Sequence, residues 1–184
     1  MKTNASEWLI QRAVYHKHLS AAAVIVPNVY AYRWESDLLI VTKAGYVKEV
    51  EVKISKADFM ADSRKQVSRE TTKYEAITSG VRTYCDKPKD CKRPNRFYYA
   101  FPRDMVPLAD VPEWAGVYHW LPNGAIVEAR YAPRLHEQKA EPKFIDRLYK
   151  SAYHRYMQWW SSKDQPLLPA QPLDNPVKQD IVTP

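Results

Sequence analysis

The chain reads as an α/β protein with a central mixed β-sheet, in the order helix, three-stranded meander, helix, strand, followed by an added C-terminal hairpin and helix. Three observations predict it. Leu9, Ile10, Ala13, Val14 and Ala21 recur at helical spacing behind Asn4-Ala5-Ser6-Glu7, a helix-start pattern. Three strand-like runs then follow one another with turn residues between them, and a polar helical stretch comes directly after. Further on, a strand-like Arg96–Phe101 precedes the Asn-Gly turn signal of a hairpin and a last amphipathic run.

The first strand is expected within residues 24–34, where Pro27 delays it or puts it at a sheet edge. Two strands follow within residues 35–54, with Ala44 and Gly45 as the turn between them. Ser55-Lys56-Ala57-Asp58 has the form of a capping box, opening a helical run over 56–79 whose apolar members are Phe59, Val67, Tyr74 and Ile77, with Gly80 as terminator. Residues 116–121 and 125–131 flank Pro122-Asn123-Gly124 as a hairpin. Over 142–160, Phe144, Ile145, Leu148, Tyr149, Ala152, Tyr156 and Trp159 recur at three and four, a face expected to pack as core. Residues 1–161 thus read as a single domain. Residues 162–184, with prolines at 166, 169, 172, 176 and 184, read as an extended or disordered tail.

The chemistry concentrates in the second and third strands. Alternation puts Val50, Val52 and Ile54 on one face, and Glu49, Glu51 and Lys53 on the other. The hairpin brings Asp37 alongside, so two carboxylates and an ammonium converge. Magnesium takes oxygen ligands from one or two carboxylates plus water and phosphate, which Asp37 and Glu51 would supply, with the Val52 backbone carbonyl as a further ligand. Such an ion lowers the pKa of a bound water and polarises a phosphodiester, while Lys53 orients that water or offsets developing charge. The plain alternative is a half-buried strand with a charged, solvated face, the commoner meaning of an isolated Glu-Val-Lys.

The acid-bearing strand, the turn, and the Glu-x-Lys strand followed at once by a helix resemble the PD-(D/E)xK nuclease superfamily, the restriction-endonuclease-like fold. Glu51-Val52-Lys53, the Ser55–Lys65 segment, Arg96–Pro102 and Glu113–Val117 stand in the order shown by MmcB-related proteins linked to DNA repair, over roughly residues 5 to 160. The resemblance implies a Mg2+- (or Mn2+-) dependent deoxyribonuclease acting in repair, recombination or phage DNA processing, with Asp37, Glu51 and Lys53 catalytic. Ser36 stands where the superfamily has its proline, and residues 81–95 form a longer connection than the family's. Glu7 lies where resolvase-like relatives carry an extra acidic ligand. The same glutamate also suits a helix N-terminus simply by its charge. Related enzymes that cut two strands often work as dimers, which puts a homodimer among the expected partners.

Composition agrees with a DNA partner. The 184 residues carry a net charge of +7 and a pI near 9.3, and phosphate contacts from lysine and arginine dominate non-specific affinity for nucleic acid. Between residues 82 and 103, seven cations (Arg82, Lys87, Lys89, Lys92, Arg93, Arg96, Arg103) against Asp86 and Asp90 leave +5, as in a DNA-facing loop. Lys56 and Lys65 are expected near the backbone at the cut site; ion pairs on a solvated helix face, to Glu70 and Asp62, are their alternative. Tyr84, Tyr98 and Tyr99 are candidates to stack on bases, although alternation across a buried strand explains Tyr98 and Tyr99 better.

Cys85 and Cys91 lack the partners of a zinc site and are expected to be free thiols. The five scattered histidines suggest no ligand role, and with four glycines in the whole chain there is no phosphate-binding loop and hence no nucleotide cofactor. Met1–Ala5 lacks a signal-peptide run and no stretch is long enough to span a membrane, so cytoplasmic residence is expected. Two further functions fit the same residues: a non-cleaving DNA-binding or recruitment module on a nuclease fold, and an RNA-directed or restriction-type nuclease.

Overall fold

The computed structural model describes residues 5–32, 34–65, 72–79 and 93–162. Helix α1 (Glu7–His18) starts at Ser6, whose hydroxyl accepts the Leu9 N–H at 3.3 Å. Strands β1 (Ala22–Val29), β2 (Ser36–Thr42) and β3 (Val47–Val52) form an antiparallel meander. Helices α2 (Lys56–Asp62) and α3 (Lys73–Ser79) lead to β4 (Arg96–Pro102), which runs parallel to β3. After a 3-10 turn at Leu108–Asp110, β5 (Ala115–Trp120) pairs parallel to β4 and β6 (Ile126–Arg130) antiparallel to β5. Helix α4 (Pro142–Ser161) closes the order. The result is an α/β architecture on one six-stranded mixed sheet with the strands side by side in chain order.

β4 shows why both faces are covered. Its sequence Arg-Phe-Tyr-Tyr-Ala-Phe-Pro is apolar on both faces, as parallel strands inside a sheet are. Tyr98 and Ala100 join Ile10, Val14, Leu38, Ile40, Val50 and Val52 under α1. Phe97, Tyr99 and Phe101 join Trp34, Phe59, Ala76 and Ile77 on the opposite face. Both tyrosines are therefore core residues, Tyr98 stacked on Tyr118 with ring centroids 4.4 Å apart. On that opposite face, Phe144 and Leu148 of α4 pack on Val24, Val26, Leu39, Val41 and Val47.

The hairpin turn between β2 and β3 rests on Gly45, at φ +85°, a backbone conformation costly for any residue with a Cβ. β1 is an edge strand, which is where Pro27, at 22–29 and not out to residue 34, can sit without breaking a ladder.

Three expectations are corrected. The helical run over 56–79 is two seven-residue helices, α2 ending at Asp62 and α3 beginning at Lys73, where the Lys73 N–H donates to the Lys65 carbonyl at 2.8 Å. Ile54 lies past the end of β3 and is half exposed, so it is not part of the apolar face. The aromatic side of α4 does not pack: Phe144 and Leu148 are buried while Tyr149, Tyr156 and Trp159 are each at least half exposed. The sheet covers one arc of that helix, and at ~100° per residue the rings at 149 and 156 point away from the arc holding 144 and 148. The basic segment at 81–92, with Tyr84, Cys85 and Cys91, and the tail beyond residue 162 lie outside the described residues. Among the described residues no helix is long and apolar enough to cross a membrane.

Two measurements test this packing. At Gly116 an added Cβ would stand 2.4 Å from Tyr98 Cε1 and 2.7 Å from the Ala132 backbone nitrogen. Gly116→Ala is expected to lower the unfolding free energy by about 1–3 kcal/mol in urea titrations, the cost of overpacking. His18, buried with Nε2 3.0 Å from the Tyr118 hydroxyl, has its pKa lowered by burial, and secondarily by Lys48 and Lys17, to about 4. The unfolded chain thus binds more protons than the fold between the unfolded value of 6.5 and about 4, so stability is lost as pH falls through that window. His18→Phe should flatten that part of the stability profile.

Candidate functional site

The site grows from one irregularity in the meander. The β2–β3 ladder pairs Leu38 with Val50 and Leu39 with Glu49, so its continuation would set Asp37 opposite Glu51. Instead the strands part there, and Asp37 Oδ2 takes the Val52 N–H at 2.7 Å. A side-chain oxygen replaces the missing main-chain partner and fixes the carboxylate in the gap. Burial, then the neighbouring Glu51 charge, pushes the Asp37 pKa up to about 7 against the pull of the Val52 N–H. Glu7 adds to the rise, so the first turn of α1 faces the same place. Its own carboxylate accepts Gln11 Nε2 at 3.0 Å, and Gln11 also donates to Asn28 Oδ1 at 2.9 Å.

Behind Asp37, the charged face of β3 is buried. Glu51 is 2% exposed, and its two oxygens each accept an ammonium: Oε1 from Lys53 at 3.1 Å and Oε2 from Lys73 at 2.5 Å. Lys53 also donates to Asp62 Oδ1 at 3.1 Å and lies 3.6 Å from Asp58. Asp62 Oδ2 accepts the Tyr99 hydroxyl at 2.7 Å, and with that proton used the Tyr74 hydroxyl, 2.8 Å away, supplies the bond to Tyr99. Glu49, fully buried, accepts Trp34 Nε1–H at 2.6 Å.

The electrostatics follow from this wiring. Burial favours the neutral form of Lys53, but Glu51 and Asp62 outweigh it and hold the ammonium above its usual pKa; Lys73 is raised in the same way by Glu51 and Glu49. Burial would raise Asp62, yet Lys73 and Lys53 hold it below the ordinary range. Glu49 rises to about 7, chiefly through burial, against the Lys73 ammonium. Four carboxyls (37, 49, 51, 62) thus face two ammoniums (53, 73), and two of the four are pushed toward their neutral forms.

Among the described residues no three His, Cys, Asp or Glu side chains gather to hold a metal by themselves. The donor set still suits a hard cation, which needs only one or two carboxylates beside water and phosphate. Asp37 stands at the partly exposed rim, its carboxyl pushed toward the neutral form by burial and by Glu51, the condition that an added cation would relieve. Glu51 keeps unused lone pairs, since a carboxylate offers about four.

The remaining expected contacts fall differently. Lys56 and Lys65 are exposed, at the start of α2 and just beyond its end. Arg93 is committed to main-chain carbonyls, donating to Ile77 at 3.0 Å, Thr78 at 2.6 Å and Leu135 at 3.4 Å. Arg96 donates to the Ala132 carbonyl and lies over the Tyr131 ring. Lys87, Lys89 and Lys92 lie outside the described residues. What sequence reasoning missed is Lys73, which it gave no place in the site, and Asp62, which it named only as an alternative ion-pair partner on a solvated helix face. The available signal was the density of charge at β3: Glu49 and Glu51 on one face of an interior strand, with Lys53 just past its end, demand buried partners from the covering helices.

Lys73→Met would leave Glu51 and Glu49 short of a counter-charge, and breaking such a buried pair is expected to cost about 3–5 kcal/mol in urea unfolding. Adding Glu51→Gln should recover part of that loss, because the stranded charge disappears with it.

Neither protein-family models nor curated proteins give a match to this chain. Among solved structures it is similar to a protein of unknown function from Silicibacter pomeroyi, at 18% sequence identity and a TM-score of 0.54, over 83% of this chain and 86% of that one. The likeness is one of fold.

Proposed function

We propose that this chain is a metal-dependent nuclease hydrolysing DNA phosphodiester bonds on a PD-(D/E)xK, restriction-endonuclease-like core, of the kind its sequence resembles in MmcB-related proteins. The observation that carries the reading is the Asp37 carboxylate, seated on the Val52 N–H where β2 and β3 part, beside Glu51 and Lys53. The run of α1, an antiparallel three-stranded meander, helices, and a strand parallel to the third is in keeping with that core.

Asp37, Glu51 and the Val52 carbonyl would hold Mg2+ or Mn2+, with Glu7 close enough to be felt at Asp37. When bound, such an ion supplies a water of lowered pKa and polarises the phosphate. Lys53 has a narrower role than its position alone suggests. Glu51 and Asp62 hold its ammonium above its ordinary pKa, which suits a fixed positive charge for the phosphate oxygens. Lys73 positions Glu51 from the far side, and Tyr99 fixes Asp62 behind Lys53.

A second reading is supported by the grip of Lys53 and Lys73 on both Glu51 oxygens: a non-cleaving DNA-binding module on the same core. An RNA-directed or restriction-type nuclease would use the same groups, since the chemistry belongs to the phosphate. The three separate in one assay. Wild type is incubated with supercoiled, linear, single-stranded and branched DNA, and with RNA, in Mg2+ or Mn2+, beside Asp37→Asn and Lys53→Met. Cutting of DNA is expected, with each variant reduced about 100-fold or more, the scale of losing one charge-stabilising group. No cutting of any substrate by the wild type overturns the enzyme reading, and cutting of RNA alone moves the substrate.

A further inference from the structure

The C-terminal helix carries a surface that the candidate site does not use. On α4, Tyr149, Tyr153, Tyr156 and Trp160 follow one another at spacings of four, three and four, which places them along a single stripe. They are 50%, 59%, 57% and 41% exposed, and Trp159, 56% exposed, stands beside Tyr156 with ring centroids 5.9 Å apart. Five large rings half in water on one helix exceed what a soluble surface ordinarily shows. Their helix also holds Lys143, Arg147, Lys150 and Arg155 against Asp146, a net +3.

The stripe leads to the candidate site. Tyr149 donates to the Ala23 carbonyl near the start of β1, and Arg155 to the Asn28 carbonyl near its end, so α4 runs along β1 toward the end where Val29 pairs with Ser36, next to Asp37. Asn28 is also bonded to Gln11 and through it to Glu7. Tyr30, 71% exposed, follows β1 directly at the same end, and Trp8, 60% exposed with Arg12 4.8 Å from its ring, stands next to Glu7 in the first turn of α1 on the other face of the sheet.

From this we infer that the α4 stripe is a stacking platform that leads single-stranded DNA to the Asp37 end of the sheet. Unpaired bases offer flat faces to tyrosine and tryptophan, and the net positive charge of the helix attracts the phosphates, while Arg147, Lys150 and Arg155 are themselves held by the Ala31 carbonyl, Asp146 and the Asn28 carbonyl on its flanks; in a duplex the base faces are already stacked on one another. The seam-like spacing would equally suit a helix from a second copy, but that copy would bring the same +3 against this one, in a chain of net charge +7. The inference rests on DNA as substrate and names the form in which it arrives.

Binding is measured by anisotropy of labelled 20-nucleotide oligothymidylate, and of a 20-base-pair duplex, in EDTA, so that a chain unable to cut still reports. The single strand should bind more tightly than the duplex and quench tryptophan fluorescence. Tyr153→Ala/Tyr156→Ala, both exposed positions, should weaken single-strand binding about 10-fold or more with an unchanged thermal melt, as expected for loss of base stacking. Equal affinity of wild type and double variant overturns the inference. So does a dimer in sedimentation that the double variant abolishes while DNA affinity stays put, which assigns the stripe to a second copy. Ring-dependent binding by a wild type that cuts no DNA leaves the platform standing and removes the nuclease reading alone.

Discussion

Glu51 is the residue around which the rest is arranged. It sits on an interior strand, nearly without solvent, and a carboxylate there is tolerable only if cations are delivered to it. Lys53 comes from the residue just past the end of the same strand and Lys73 from α3, twenty-two residues on. The covering helices are therefore part of the electrostatics as much as of the core: α2 brings Asp62 to hold Lys53 in place, and α3 brings the second ammonium. Removing the helices would leave Glu49, Glu51 and Lys53 facing water, the ordinary surface strand that its sequence first suggests.

That dependence explains which parts of the molecule were legible in the sequence. The strands were, because period-two alternation and Gly45 act locally; the meander, the β5–β6 hairpin and the order of helices follow from residues next to one another in the chain. That Asp37 comes alongside the end of β3 was legible for the same reason, since a tight turn fixes register, but its seat on the Val52 N–H was not. Lys73 was not. A lysine in a polar helical run looks the same whether it faces water or a carboxylate across the sheet, and no local spacing relates it to Glu51. The α4 rings failed differently. Periodicity shows that apolar residues share a side of a helix, but it does not give the width of the surface they meet: Phe144 and Leu148 are fully covered, Ile145 and Ala152 only in part, and the rings beyond them are not. Arg93 and Arg96 looked like phosphate ligands by charge alone, whereas the end of α3 and the irregular segment after β6 present carbonyls that use their donors first.

Buried charge is a poor way to hold a sheet together. Taking carboxylates and ammoniums out of water costs several kcal/mol per ion, and packed apolar side chains of similar volume often serve stability as well or better. Leu39 and Val41 on the neighbouring strand show that this face accepts apolar residues. Glu49, Glu51, Lys53, Asp62 and Lys73 thus bring something that valines and leucines in their places would not, namely ionisable groups held in one arrangement just behind the partly exposed Asp37. The arrangement is directional. Ammoniums lie behind Glu51, at the β3–α3 side, while the carboxyls of Asp37 and Glu7 stand where the strands part and the surface opens. A cation arriving from solvent meets Asp37 and Glu7 first and the lysines only beyond them, the order that the proposed metal site requires, with Lys53 two residues past Glu51.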